Sequence, residues 1–120
     1  MSVLIVDDSK AMRMIVRRTL REAGFHLEFK EASNGAEALQ AVQAEDFELV
    51  LCDWNMPEMS GLDLLKKLQV SGKPVKLGFV TSESSDQMRS DAEQAGALFL
   101  ITKPFTSDIF RNVLEPIIGG

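Results

Sequence analysis

Four short runs of the sequence are apolar at almost every position and stop abruptly at a polar residue. They are Val3 to Val6 before Asp7, Leu49 to Cys52 before Asp53, Leu77 to Val80 before Thr81, and Leu98 to Ile101 before Thr102 and Lys103. A strand with one wet face alternates apolar and polar side chains, whereas a continuous apolar run of this length marks a strand covered on both faces, as in a parallel sheet. A fifth segment, Leu27 to Ala32, mixes Leu27 and Phe29 with Glu28, Lys30 and Glu31 and reads as a half-exposed edge strand.

Between these runs the apolar period becomes helical. In Ser9 to Ala23, Met12, Ile15, Val16 and Leu20 share a face, and Gly24 stands where a helix C-terminus favours glycine. Ala36 to Ala44 and Leu62 to Val70 behave similarly. The segment Asp86 to Ala95 has only Met88, Ala92 and Ala95 for a stripe, so the weakest-packed helix is expected there. A last helix starts near Ser107 and carries Ile109, Phe110, Val113 and Leu114. Pro116 lacks an amide donor and clashes with the preceding turn, so this helix is expected to end near Glu115. Strand and helix alternate five times, which predicts a doubly wound (βα)5 α/β fold: a five-stranded parallel sheet of flavodoxin-like order 2-1-3-4-5 with helices on both faces.

With 120 residues there is room for one core, and residues 1–120 read as a single domain with no repeat, low-complexity tract or linker. Gly119-Gly120 fits either a natural terminus or the edge of a longer protein. The opening apolar run is too short for a signal-peptide core, and no stretch of 18 apolar residues predicts a membrane span. A lone cysteine, Cys52, excludes an internal disulfide and suits a reducing cytoplasm. A formal net charge of −5 speaks against a nucleic-acid surface. The chain has seven Phe, one Trp and no Tyr, an absence without meaning at this level.

In an open parallel sheet, ligands bind beyond the carboxyl ends of the strands, where the winding reverses. Strand 1 delivers Asp7 and Asp8 to that rim, strand 3 Asp53, strand 4 Thr81 and strand 5 Lys103. Singly, each has an ordinary role as a cap or turn residue. Together, three carboxylates, a hydroxyl and an ammonium on one rim exceed what capping requires. The carboxylates would repel one another unless a cation neutralised them, and hard oxygen ligands of this kind suit Mg²⁺. A cation beside a spare carboxylate and a lysine describes a phosphoryl-transfer site, in which a carboxylate can itself be the nucleophile. Asp53, at the end of a central strand with polar groups on both sides, is the candidate phosphoacceptor. Thr81 and Lys103 are candidates for binding the phosphoryl oxygens.

The residues Asp7-Asp8-Ser9, the run Asp53-Trp54-Asn55-Met56-Pro57 with Gly61 four residues on, Thr81, and Lys103-Pro104-Phe105 resemble the receiver domain of two-component response regulators, most closely the chemotaxis CheY type. The resemblance covers essentially the whole chain. It implies that Asp53 accepts a phosphoryl group from a histidine kinase or phosphotransfer protein and that a downstream effector protein reads the result. Asp8, Asp53 and the carbonyl of Asn55 would bind Mg²⁺, with Asp7 acting through water. Thr81 and Lys103 would read the phosphoryl group, with a cis peptide between Lys103 and Pro104, while small Ser82 leaves access to Asp53. Asn55 and Glu83 match positions that modulate loss of the phosphate. A phosphorylation-dependent dimer is a further partner that the resemblance allows. Family members carry an aromatic, usually Tyr or Phe, three residues before the lysine. Here that position is Leu100, and Phe99 is out of phase by one, which in a strand places it on the opposite face.

Lys10, Arg13, Arg17, Arg18 and Arg21 put five of thirteen basic residues on the first helix. They read as a solvated face, with Arg13 and Arg17 as candidates for docking a phosphohistidine-bearing partner. His26 reads as a surface turn residue, Cys52 as core, and Trp54 as a half-exposed reporter of the site. Two alternatives remain. An aspartyl phosphatase of the haloacid dehalogenase type would need a second Asp two residues after the nucleophile, where this chain has Asn55. A degenerate receiver would act as an interaction module without phosphorylation, and Leu100 is its support. Nucleotide-binding glycine motifs are absent.

Overall fold

The computed structural model describes residues 2–73 and 75–118. Gly119-Gly120 lie outside the described residues. In chain order the elements are β1 (Ser2–Val6), α1 (Lys10–Glu22), β2 (Glu28–Ala32), α2 (Gly35–Ala44), β3 (Leu49–Cys52), α3 (Gly61–Val70), β4 (Leu77–Thr81), α4 (Asp86–Ala95), β5 (Leu100–Thr102) and α5 (Ser107–Ile118). The strands form one parallel sheet in the order β2-β1-β3-β4-β5. Burial follows the sequence pattern: β3 and β4 are buried at every position, and the edge strand β2 buries only Phe29 and Ala32.

Two apolar layers lie on either side of the sheet. One packs Val3, Ile5, Leu49, Leu51 and Val80 with Val16 and Leu20 of α1 and with Phe110, Leu114 and Ile118 of α5. The other packs Leu4, Val6, Val50, Cys52 and Phe79 with α2, α3 and Ala92 of α4. Because adjacent strand residues point to opposite faces, Phe99 joins the first layer and Leu100 the second. Side-chain oxygens of Ser9, Asn34, Ser60 and Ser85 accept amide hydrogen bonds at the starts of α1 to α4. Ala92 is the one buried residue of α4, in keeping with its thin apolar stripe.

Several boundaries differ from the sequence expectation. β5 begins at Leu100 rather than Leu98 and extends to Thr102, and β2 begins at Glu28. The larger difference is α5, which runs through Pro116 to Ile118 instead of ending near Glu115. Pro116 forfeits one backbone hydrogen bond close to the helix end. Continuing the turn brings Ile118 into the core and Ile117 against it, and this burial offsets the loss.

Arginines cover backbone on both edges of the sheet. On β2, Arg17 Nη2 donates to the Phe29 carbonyl at 3.1 Å. On β5, Arg89 Nη1 donates to the Leu100 carbonyl at 3.4 Å. If α5 gains stability from its last turn, Ile118→Ala lowers the unfolding free energy by about 2 kcal/mol, the scale for truncating a buried isoleucine. Denaturant unfolding checks this; a change near zero would mean the turn beyond Pro116 contributes nothing.

Candidate functional site

β1 and β3 pair in register, Val6 beside Cys52, and the ladder extends one bond further as the Asp53 amide donates to the Val6 carbonyl at 2.9 Å. The next residue of each strand is an aspartate, so Asp7 and Asp53 emerge side by side. Asp7, Asp8 and Asp53 bring carboxylate oxygens within 4.8 Å of one another. Asp7 and Asp53 are buried, whereas Asp8 is exposed. Thr81 ends β4, wholly buried, and Lys103 follows β5 with its amide bonded to the Thr81 carbonyl at 2.8 Å. Its ammonium lies 3.7 Å from Asp7 Oδ2, and the Lys103-Pro104 peptide is cis. The rim therefore gathers residues from four strand ends.

Burial raises the pKa of both Asp7 and Asp53. For Asp7 the opposing influences are the Ser9 amide and Lys103, with Asp8 adding to the rise. For Asp53 the negative charge of Asp7 adds to burial, and Lys103 opposes it. One ammonium does not offset two buried carboxylates. The second sign of an incomplete site is Thr81 Oγ1, a buried hydroxyl with no hydrogen-bond partner among the described residues. A set of hard oxygen donors short of positive charge fits a divalent cation, and a bare hydroxyl donor at the end of β4 on the same rim fits an added oxyanion.

The loop after β3 closes on the site through Gly61, whose amide donates to the Trp54 carbonyl at 2.7 Å. A Cβ at Gly61 would lie 2.4 Å from the Asp53 carbonyl oxygen, so only glycine lets α3 start this close to the rim. Trp54 is half-buried and packs on Phe79, with ring centroids 4.8 Å apart. Across the mouth, Asn55 Nδ2 donates to Glu83 Oε1 at 3.4 Å, linking the loops after β3 and β4. Ser82 is exposed next to Thr81. Leu100 lies away from the rim, beside Phe79 in the sheet register.

Cys52 is buried, as its place in an apolar run suggests, and burial pushes its thiol pKa far up. His26 is exposed and Trp54 half-exposed. Arg13 and Arg17, read from the sequence as docking residues, are engaged within the domain. Both pair with Glu31, at 2.8 and 2.9 Å. Glu31 was missed in the sequence because it sits among alternating charges on an edge strand, with nothing local to pair it with residues 14 and 18 positions earlier.

The fold and rim together define a receiver-type α/β domain. The chain belongs to the response regulator receiver domain family, whose profile matches residues 3–115. Among its relatives, chemotaxis protein CheY-3 of Vibrio cholerae is 40% identical over 119 residues, spanning 98% of this chain and 91% of that protein. Chemotaxis protein CheY1 of Helicobacter pylori is 38% identical over 122 residues, spanning 99% and 98%. The crystal structure of chemotaxis protein CheY4 of Vibrio cholerae superposes with a TM-score of 0.84 at 31% identity, covering 97% of both chains.

Two consequences can be measured. A carboxyl whose pKa is raised in the fold favours its protonated form there, so its contribution to stability is present below the ordinary carboxylate range and is lost as pH rises through the raised value. Asp53→Asn should therefore stabilise the cation-free protein at pH 7, with the gain fading toward about pH 4; an equal gain at both pH values in thermal melts contradicts this. Thr81→Val, which removes the unpartnered hydroxyl at nearly constant shape, should stabilise the same form by about 1 kcal/mol in denaturant unfolding.

Proposed function

We propose that the chain is a phosphoacceptor switch in which Asp53 takes a phosphoryl group from the phosphohistidine of a histidine kinase or phosphotransfer protein. The observation that carries this reading is the buried Thr81 hydroxyl, without a partner among the described residues, on the rim that holds the Asp7, Asp8 and Asp53 carboxylates. An Asp53 carboxylate oxygen attacks phosphorus, the N–P bond of the donor breaks, and the imidazole leaves with the bonding pair. Thr81 donates to one phosphoryl oxygen, and Lys103 shifts from Asp7 to pair with another. Asp8, Asp53 and the Asn55 carbonyl would hold Mg²⁺, with Asp7 assisting from beside them. When bound, the ion neutralises the charge that gathers on the transferring group. Asn55 and Glu83, bridged across the mouth, govern how readily water reaches the acyl phosphate, and exposed Ser82 leaves the approach open.

In this reading residues 1–120 work as one receiver unit in the cytoplasm. Among the described residues no helix is long and apolar enough to cross a membrane. The protein signals by changing its affinity for an effector protein and catalyses only its own phosphorylation and dephosphorylation. Similarity to the chemotaxis proteins CheY-3 and CheY1 supports a place in chemotaxis. Leu100 favours a second reading, an interaction module independent of phosphate, because the aromatic of the family's switch is missing from that face.

Incubation with a small phosphodonor and Mg²⁺ should add one phosphoryl group per chain by intact mass. Asp53→Asn or chelation of the metal should abolish the adduct. No adduct on the unaltered protein overturns the proposal in favour of the phosphate-independent module, and rapid turnover of many phosphoesters would make the protein a phosphatase.

A further inference from the structure

The acidic loop after β1 is held by more than the strand it leaves. The Asp7 amide donates to the Ala32 carbonyl of β2 at 3.2 Å, and the Ser9 amide donates to Asp7 Oδ1 at 2.9 Å. The Asp7 carbonyl in turn accepts from Arg13 Nη1 at 2.5 Å. That carbonyl belongs to the peptide plane leading into Asp8, so its direction fixes the backbone on both sides of the Asp7-Asp8 junction. Arg13 is itself fixed: its Nε donates to Glu31 Oε1 at 2.8 Å, and its side chain is 13% exposed. Glu31 is in turn held from its other oxygen by Arg17 at 2.9 Å, and Arg17 also bonds the Phe29 carbonyl of β2. A planar fork with several donors can serve a carbonyl and a carboxylate together, which a single ammonium does less well.

We infer that Arg13 is a positioning residue for the cation site, setting the direction of the Asp8 carboxylate through the Asp7 carbonyl, with Glu31 and Arg17 as its anchor. This rests on the proposal that the rim binds Mg²⁺. The inference makes a prediction opposite in sign to plain electrostatics. A guanidinium near an acidic site repels a cation, so its removal would tighten Mg²⁺ binding if charge were its whole effect. If Arg13 orients the donors, its removal loosens binding despite the relief of repulsion, and loss of a group that orients metal ligands weakens affinity by about tenfold or more.

The test is a Mg²⁺ titration followed by Trp54 fluorescence, on the unaltered chain, Arg13→Met and Arg13→Lys, with circular dichroism to verify folding. Arg13→Met keeps the aliphatic stem and should weaken Mg²⁺ about tenfold. Arg13→Lys keeps the charge and should weaken it to a smaller extent; should the methionine variant fail to fold, this loss decides. Unchanged or tighter binding by a folded Arg13→Met, or by Arg13→Lys where it alone folds, overturns the inference. If calorimetry also finds no Mg²⁺ binding to the unaltered chain, the cation-site proposal fails and the inference with it. General destabilisation would lower the melting temperature and leave the Mg²⁺ affinity of the folded protein unmoved.

Discussion

One backbone hydrogen bond, from the Asp53 amide to the Val6 carbonyl, fixes where the chemistry of this protein can occur. It ends the β1–β3 ladder and places the first residue after each strand side by side. A slip of one residue would turn every side chain of β3 to the other face, carrying Cys52 and Asp53 with it. The apolar pattern forbids that slip. Leu49 and Leu51 belong to the layer under α1 and α5, Val50 and Cys52 to the layer under α2 and α3, and each layer is filled. The core thus holds the two aspartates together against their mutual repulsion.

That repulsion remains in the folded molecule. Both carboxyls are disfavoured as anions by burial, Lys103 offsets only part of the cost, and the Thr81 hydroxyl is left without a partner. A core assembled for stability alone would not keep this group of residues. Binding positive charge and an oxyanion would relieve both defects together, which is why the rim is the place to look for function. Gly61 and the Arg13–Glu31 pair contribute to the same arrangement from opposite sides, one by letting α3 approach closely and the other by holding the Asp7 carbonyl.

The order of the strands and the convergence of Asp7, Asp8, Asp53, Thr81 and Lys103 were legible in the sequence, because continuous apolar runs mark buried parallel strands and each run is followed within two residues by one of these side chains. The opposite facing of Phe99 and Leu100 followed from the period of two. What escaped was whatever depended on distant pairing. Nothing near Glu31 indicates that two arginines from the preceding helix converge on it, and the helical face bearing them looked merely solvated. Nor did local rules foresee α5 running through Pro116, because the rule weighs a lost hydrogen bond while the outcome turned on the burial of Ile118.

The arginines on the two outer strands have a further bearing on how this domain lives at high concentration. In a parallel sheet, alternate carbonyls of an outer strand point away from their neighbour, and these unpaired groups invite a strand from another molecule. On β2 such a carbonyl, that of Phe29, is taken by Arg17, and on β5 the Leu100 carbonyl is taken by Arg89. β5 is three residues long, and β2 exposes Glu28, Lys30 and Glu31. An incoming strand would have to displace a guanidinium at either margin before its ladder could start. Edge-to-edge growth of the sheet is thereby opposed at both of its margins by a side chain already in place.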